Sequence, residues 1–267
     1  MRNLCKGIKL FFLVFCIICF SLNGFGQSVG DVIKKAKLSI YENPDGVIQL
    51  CDSIYKNPNT SDGTRVEALI TISDAYSSKR DYKRSLKYFQ KANELAKGNP
   101  DIDLQIFILN RTAARYQQIK AFDKAIEYLD KCDKLIAEHP NKTSGTYFTQ
   151  ATNNILRGFI YKDRLNCDIA INYFDNSIKQ YNTFASEKRS AHLSIVYYNK
   201  GNCYVSMGQY DKAEYSFQEA IKMAKVINAK SLEAFAMKGL GEVFYYRKQY
   251  DKAINVLNDA IMISKAT

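Results

Sequence analysis

Residues 197–220 read Tyr197-Tyr-Asn-Lys-Gly201-Asn-Cys-Tyr204-Val-Ser-Met-Gly208-Gln-Tyr210-Asp-Lys-Ala213-Glu-Tyr-Ser-Phe217-Gln-Glu-Ala220, and much of that spacing returns forty residues later with Gly241, Phe244, Tyr250, Ala253, Leu257 and Ala260. A spacing that recurs along a chain marks one structural unit used repeatedly, and it constrains the architecture before any residue chemistry is considered. Two helices account for it. Gly201, Ala213 and Ala220 are small where backbones approach closely, while Tyr204, Tyr210 and Phe217 fill the holes between them. The unit is a helical hairpin.

With Tyr197 taken as position 4, small residues fall at positions 8, 20 and 27, aromatics at 11, 17 and 24, and a turn glycine at 15. This pattern resembles the tetratricopeptide repeat family. The resemblance implies an all-α fold, a right-handed superhelical solenoid of about six hairpins, each burying its apolar faces on its neighbours. The position-20 residues are Val47, Ser85, Ala125, Ala170, Ala213 and Ala253, at steps of 38, 40, 45, 43 and 40 residues. The family period is about 34, and the longer steps resemble those of bacterial regulatory arrays. Hairpins are expected over about 29–57, 66–98, 106–139, 151–182, 194–226 and 234–265.

The middle hairpins carry the pattern with substitutions among small residues. Tyr76, Tyr82, Phe89 and Ala92 hold their places in the second, with Ser73 and Ser85 standing in for glycine and alanine. Ala113, Tyr116, Phe122, Ala125 and Leu129 do so in the third, and Gly158, Tyr161, Ala170, Phe174 and Ser177 in the fourth. The first, around Asp45, Gly46, Val47 and Cys51, matches poorly, as terminal repeats covered on one side do. Pro58, Pro100 and Pro140 follow second helices and stop them. Pro44-Asp45-Gly46 is expected to separate the first two helices, and Asp211 and Asp251 to set carboxylates against the positive ends of second helices. Residues 27–267 hold no Pro-, Gly- or Ser-rich linker, so one elongated domain is expected.

Residues 1–26 are of another kind. Arg2, Lys6 and Lys9 precede an apolar run from Leu10 to Leu22, and Gly24 and Gly26 flank Phe25 before Gln27. That is the composition of a secretory signal peptide, and the run is shorter than the ~20 residues of a spanning helix. Cleavage near Gly26–Gln27 and a periplasmic or secreted location are expected, with no membrane span afterwards. Removing three basic residues and no acid takes the net charge from +11 to +8. Acids interspersed among the lysines point to a solvated helical surface, and no basic block argues for nucleic acid. Four cysteines remain, Cys51, Cys132, Cys167 and Cys203, each at a packing position of a different repeat. Each reads as a small buried hydrophobe, although an even set in an exported chain can also be oxidised.

No catalytic, cofactor-binding or metal-ligating residue is expected, and the chain does not read as an enzyme. His139 ends a helix and His192 opens one, neither with a partner at metal-ligand spacing, and no phosphate loop or nucleophile elbow occurs. What the family resemblance implies instead is a concave groove lined by first helices that binds a peptide or protein segment. Its places are held by Asn110, Arg111, Gln117, Lys162, Tyr198, Asn199, Asn202, Lys238, Glu242 and Tyr245. Amides there can hydrogen-bond a peptide backbone, and Arg and Lys attract carboxylates. The order of these residues departs from the carboxylate clamp of some family members, so that clamp is not carried over.

Near Thr267 the last helix leaves Ile254, Leu257, Ile261 and Met262 without a covering helix in the sequence. The register exposes little, or a partner such as a second copy covers this face, or the natural product continues. Two functions follow: an exported scaffold binding a protein or peptide, or the extracytoplasmic sensor portion of a bacterial signal-transduction regulator whose membrane and output modules are missing.

Overall fold

A computed structural model describes residues 28–97, 101–183 and 189–265. The signal peptide expected over residues 1–26, and Pro100, lie outside the described residues. Among those described the chain is all-α, with helices α1 (Val29–Leu38), α2 (Pro44–Lys56), α3 (Asp62–Ser78), α4 (Tyr82–Ala96), α5 (Ile102–Gln118), α6 (Phe122–Glu138), α7 (Ser144–Asp163), α8 (Cys167–Thr183), α9 (Arg189–Ser206), α10 (Tyr210–Val226), α11 (Lys230–Tyr246) and α12 (Tyr250–Lys265). They pair in order into hairpins, the architecture of a repeat solenoid. Where the sequence suggests one uninterrupted array, the helices group into two compact units, Met1–Lys97 with the first two hairpins and Gly98–Thr267 with the other four.

The reversal inside a hairpin has the same geometry five times. Arg80, Lys120, Leu165, Gly208 and Lys248 all have positive φ, between 59° and 68°, and all occupy turn position 15. The amide after each one reaches back to the position-11 carbonyl: Asp81 to Tyr76, Ala121 to Tyr116, Asn166 to Tyr161, Gln209 to Tyr204 and Gln249 to Phe244, each at 2.9 Å. These bonds satisfy helix-end carbonyls that would otherwise lack partners. A left-handed conformation costs a residue with a β-carbon about 1–2 kcal/mol. Glycine removes that cost only at Gly208; at the other four turns the closing bonds and the packing of the paired helices offset it.

Packing beyond the turn follows the small-and-aromatic pattern. Phe89, Leu129, Phe174 and Phe217 are fully buried, as are Ala92, Cys132, Ser177 and Ala220 one turn further on. A β-carbon on Gly201 would lie 2.7 Å from the Phe217 ring, and one on Gly239 would meet the same ring still more closely. Phe217 is thereby held between the first helix of its own hairpin, α9, and that of the next, α11. Gly158 gives Phe174 the same room. In the second hairpin the serine substitutes hydrogen-bond instead: Ser73 Oγ donates to the Ser85 carbonyl at 2.7 Å, and the two hydroxyls lie 2.9 Å apart.

The first hairpin packs well despite its weak pattern, with Val47 and Cys51 buried beside Ile33, Ala68 and Ile72. One expectation is corrected there. Pro44, Asp45 and Gly46 form the first turn of α2 instead of separating the helices, and the Asn43 side chain caps that turn by accepting from the Gly46 amide at 3.0 Å. Proline suits this position because its missing amide would have had no intrahelical partner.

Replacing Gly201 with Ala should cost roughly 1–3 kcal/mol, because Phe217 is caged from both sides. Gly63→Ala, where nothing lies within 4 Å of the new carbon, should leave the melting temperature unchanged or higher. Equal thermal denaturation of the two variants would refute the caging.

Candidate functional site

In the second unit the first helices neighbour one another in order, α5 on α7, α7 on α9 and α9 on α11. The ten expected groove residues lie on these four helices, and their surroundings divide them into two groups. Asn110 and Asn199 are buried and committed to bonds between helices. Asn110 Nδ2 donates to Asn153 Oδ1 at 2.8 Å and to Thr152 Oγ1 at 3.1 Å. Lys162 Nζ donates to Asn199 Oδ1 at 2.5 Å, while Asn199 Nδ2 donates to the Ile195 carbonyl at 2.8 Å. Gln117 Nε2 reaches Asp163 Oδ2 at 3.4 Å.

The other residues present more surface. Lys238, Glu242 and Tyr245 are exposed along α11, with Lys238 Nζ 3.9 Å from Glu242 Oε1 and Tyr245 edge-on to Tyr246 and Tyr250. Asn202, Arg111 and Tyr198 are half-buried; the Arg111 guanidinium lies over the Phe107 ring, and Tyr198 packs on the cluster containing Phe217. These helices thus combine polar bonds between neighbours with an exposed stretch on α11.

The sequence reading missed Arg157. Buried on α7, its guanidinium pairs with Asp130 Oδ1 and Asp133 Oδ2 of α6, both at 2.7 Å. Asn153 Nδ2 donates to Asp133 Oδ1 at 2.6 Å, so a continuous polar chain runs from Asn110 through Asn153 and Asp133 to Arg157 and Asp130. Similar pairs recur at three of the junctions between a hairpin and the one before it: Lys79 with Asp45, Arg164 with Asp123, and Arg247 with Asp211 and Glu214. The first three acids occupy position 18 and their cationic partners position 14, a regularity legible in the sequence once the repeat register is known. Asp211 therefore does more than face a helix end.

Both histidines make contacts within the fold, and two of the thiols lie deep in it. His139 caps α6, with its Nδ1 accepting from the Asn141 amide at 3.1 Å, and its Nε2 is 3.7 Å from Asp103 Oδ1. His192 stacks on Tyr181 and meets Phe148 edge-on. Burial pushes the Cys51 thiol up to about 12 and the Cys132 thiol up to about 11. Among the described residues no cluster of three or more His, Cys, Asp or Glu could hold a metal ion, and no described helix is long and apolar enough to cross a membrane.

The last hairpin presents a second feature. Phe235 and Lys238 of α11 and Leu257, Ala260 and Ile261 of α12 line an open apolar groove of about 450 Å³. Phe235 is 58% exposed and Ile261 51%, whereas the corresponding face of the fifth hairpin is covered by α11.

Arg157→Met should destabilise the second unit by about 2 kcal/mol. The loss of a buried cation's partners would cost more, but the aspartates left behind are partly exposed and regain water. A calorimetric change below ~0.5 kcal/mol would mean that the polar chain contributes nothing to the joint between the third and fourth hairpins.

Family models described as tetratricopeptide repeat match residues 149–225 and 193–266 in one case and 66–99 in another, together more than half of the chain. No curated protein matches it in sequence. Among solved structures, BtubC (BKLC) from P. vanneervenii is 20% identical, with 88% of this chain and 91% of that one covered at a TM-score of 0.63. NprR in complex with its cognate peptide NprX is 15% identical, with 99% and 77% covered at 0.63. Aspartyl phosphate phosphatase F from Bacillus subtilis is 18% identical, with 81% and 55% covered at 0.66. At such identities the likeness is one of fold. With the repeat models matched over most of the second unit and within the first, and the hairpins in place, the chain belongs to the tetratricopeptide repeat family.

Proposed function

We propose that this chain is an exported, non-enzymatic scaffold that binds a peptide or protein segment in a concave groove on the first-helix face of its second unit. The observation that carries this reading is the division of that face: a bonded polar spine holds the first helices in register, and Lys238, Glu242 and Tyr245 stand exposed beside it. A preformed surface of this kind binds without the cost of ordering itself. The fold likeness to NprR, whose structure holds a cognate peptide, supports the same class of ligand. Export rests on the character of residues 1–26.

Affinity capture from envelope extract identifies the partner, and a synthetic segment of it then gives the affinity by calorimetry. Lys238→Ala with Tyr245→Ala should weaken binding by roughly tenfold or more, the loss of one to two kcal/mol that an exposed aromatic and a charged contact supply. Unchanged affinity would exclude this surface. Asn199→Ala is unsuitable for the same test, because it removes a bond on which the helices depend.

The apolar groove of the last hairpin adds association with a second copy of the chain to this reading. Ile261→Glu should shift the mass measured by light scattering from dimer to monomer; a wild-type chain that stays monomeric at tens of micromolar, a range in which weak self-association shows, would end the idea.

A second reading, the sensor portion of a bacterial regulator, is favoured by the fold likeness to the quorum sensor NprR from B. thuringiensis, 12% identical over 98% of this chain at a TM-score of 0.67. A sensor would alter its hairpin packing on binding, visible as changed amide exchange in helices remote from the ligand. A passive scaffold would not.

A further inference from the structure

The open groove of the last hairpin corresponds to joints that the second unit fills elsewhere. Between the third and fourth hairpins α7 packs on α5 and α6. Arg164 at position 14 pairs with Asp123 at position 18 at 2.6 Å. Leu156, eight residues before Arg164, packs on the cluster that holds Leu129, six residues after Asp123. Between the fifth and sixth hairpins the same places meet: Arg247 pairs with Asp211, and Gly239, eight residues before Arg247, lies against Phe217, six residues after Asp211. The covering helix therefore runs antiparallel to the second helix beneath it. Two marks eight residues apart identify it, a residue that fits against position 24 and then a cation for the position-18 acid.

The sixth hairpin offers the same acceptor. Asp251 stands at position 18 and Leu257 at position 24, and Ile254, Ile261 and Met262 are exposed beside them. Both marks of a covering helix are present on α12 itself, because Leu257 is followed eight residues later by Lys265. Asp251 and Lys265 are both exposed, and among the described residues neither forms an ion pair. We propose that α12 of a second copy covers the groove, the two helices packing antiparallel about a two-fold axis near Leu257 and Asn258. Each Leu257 then meets its counterpart, Ile254 meets the partner's Ile261, and Asp251 meets the partner's Lys265 at both ends of the contact.

This inference rests on the self-association proposed above and gives it a geometry. A two-fold interface must be complementary to itself, and α12 meets that condition in one direction. Its acid and its cation lie at opposite ends of the apolar stripe, on the same flank of the helix at 100° per residue. An antiparallel partner joins unlike charges at both ends, whereas a parallel one would set acid on acid and cation on cation, which costs affinity. Lys252 and Asp259, the other charges of α12, project to the far side of the helix from the stripe. Burial of the isoleucines and of Phe235, which lines the same groove, drives association; the charges select its direction.

Sedimentation equilibrium of the purified chain tests this geometry separately from self-association itself. Wild type is expected to form a dimer that Ile261→Glu disrupts. Asp251→Lys and Lys265→Asp each set like charges together at both ends and should each weaken dimerisation by roughly tenfold or more. Both positions are exposed, so the melting temperature of the subunit should hold. Mixing the two variants should restore association as a heterodimer, since one then carries only cations and the other only acids at these places. The double variant Asp251→Lys with Lys265→Asp should dimerise as wild type does. Single variants that dimerise as tightly as wild type, with Ile261→Glu still disruptive, would overturn the antiparallel pairing and leave self-association standing. A wild-type chain that stays monomeric at tens of micromolar would end both, and leave the groove to a different protein.

Discussion

The left-handed residue at the turn of each hairpin from the second to the sixth is the constraint from which their packing follows. It reverses the chain within two residues and returns the next amide to the position-11 carbonyl, so the second helix must lie against the first at one fixed offset. Once that offset is set, position 20 faces position 8 and position 24 enters the gap above it. Small residues at the first pair and a ring or leucine at the last are the packing consequences. Four of the five turns hold Arg, Lys or Leu in a conformation that favours glycine, which shows how strongly the paired helices determine the turn.

Between hairpins the same economy of shape operates through two kinds of contact. Apolar contact is supplied by rings that fit against bare backbone, as Phe217 does between Gly201 and Gly239. Polar contact is supplied by cation and carboxylate pairs that reach from a first helix to the second helix before it. Exposed pairs of this kind contribute little stability, roughly 0–1 kcal/mol. Their directional geometry instead disfavours a slipped register, in which each cation would lose its acid. Arg157 is the exception, being buried and held by two aspartates at once.

The first-helix face inherits its character from this construction. Side chains near the joints are drawn into bonds that hold neighbouring helices together, as Asn110 and Asn199 are. Those beyond the joints, on α11 above all, stay exposed. A surface built this way separates the residues that hold its shape from those that face outward, and substitutions in the two groups act differently: one set alters the spacing of the helices, the other only the chemistry they present.

The repeat, the hairpins and the small and aromatic packing positions were legible in the sequence, because each is a local periodicity that a helix of fixed pitch converts directly into a face. Ser73 and Ser85 could be read as substitutes for glycine and alanine, though the hydrogen bond between them could not. The polar chain through Arg157, the commitment of Asn110 and Asn199 and the role of Pro44 in opening α2 were decided only in three dimensions. Each depends on distances between helices that are far apart in the chain, or on which of several partners a flexible side chain reaches. Periodicity determined which face a residue lies on; what stands opposite it was decided by the packing of one hairpin on the next.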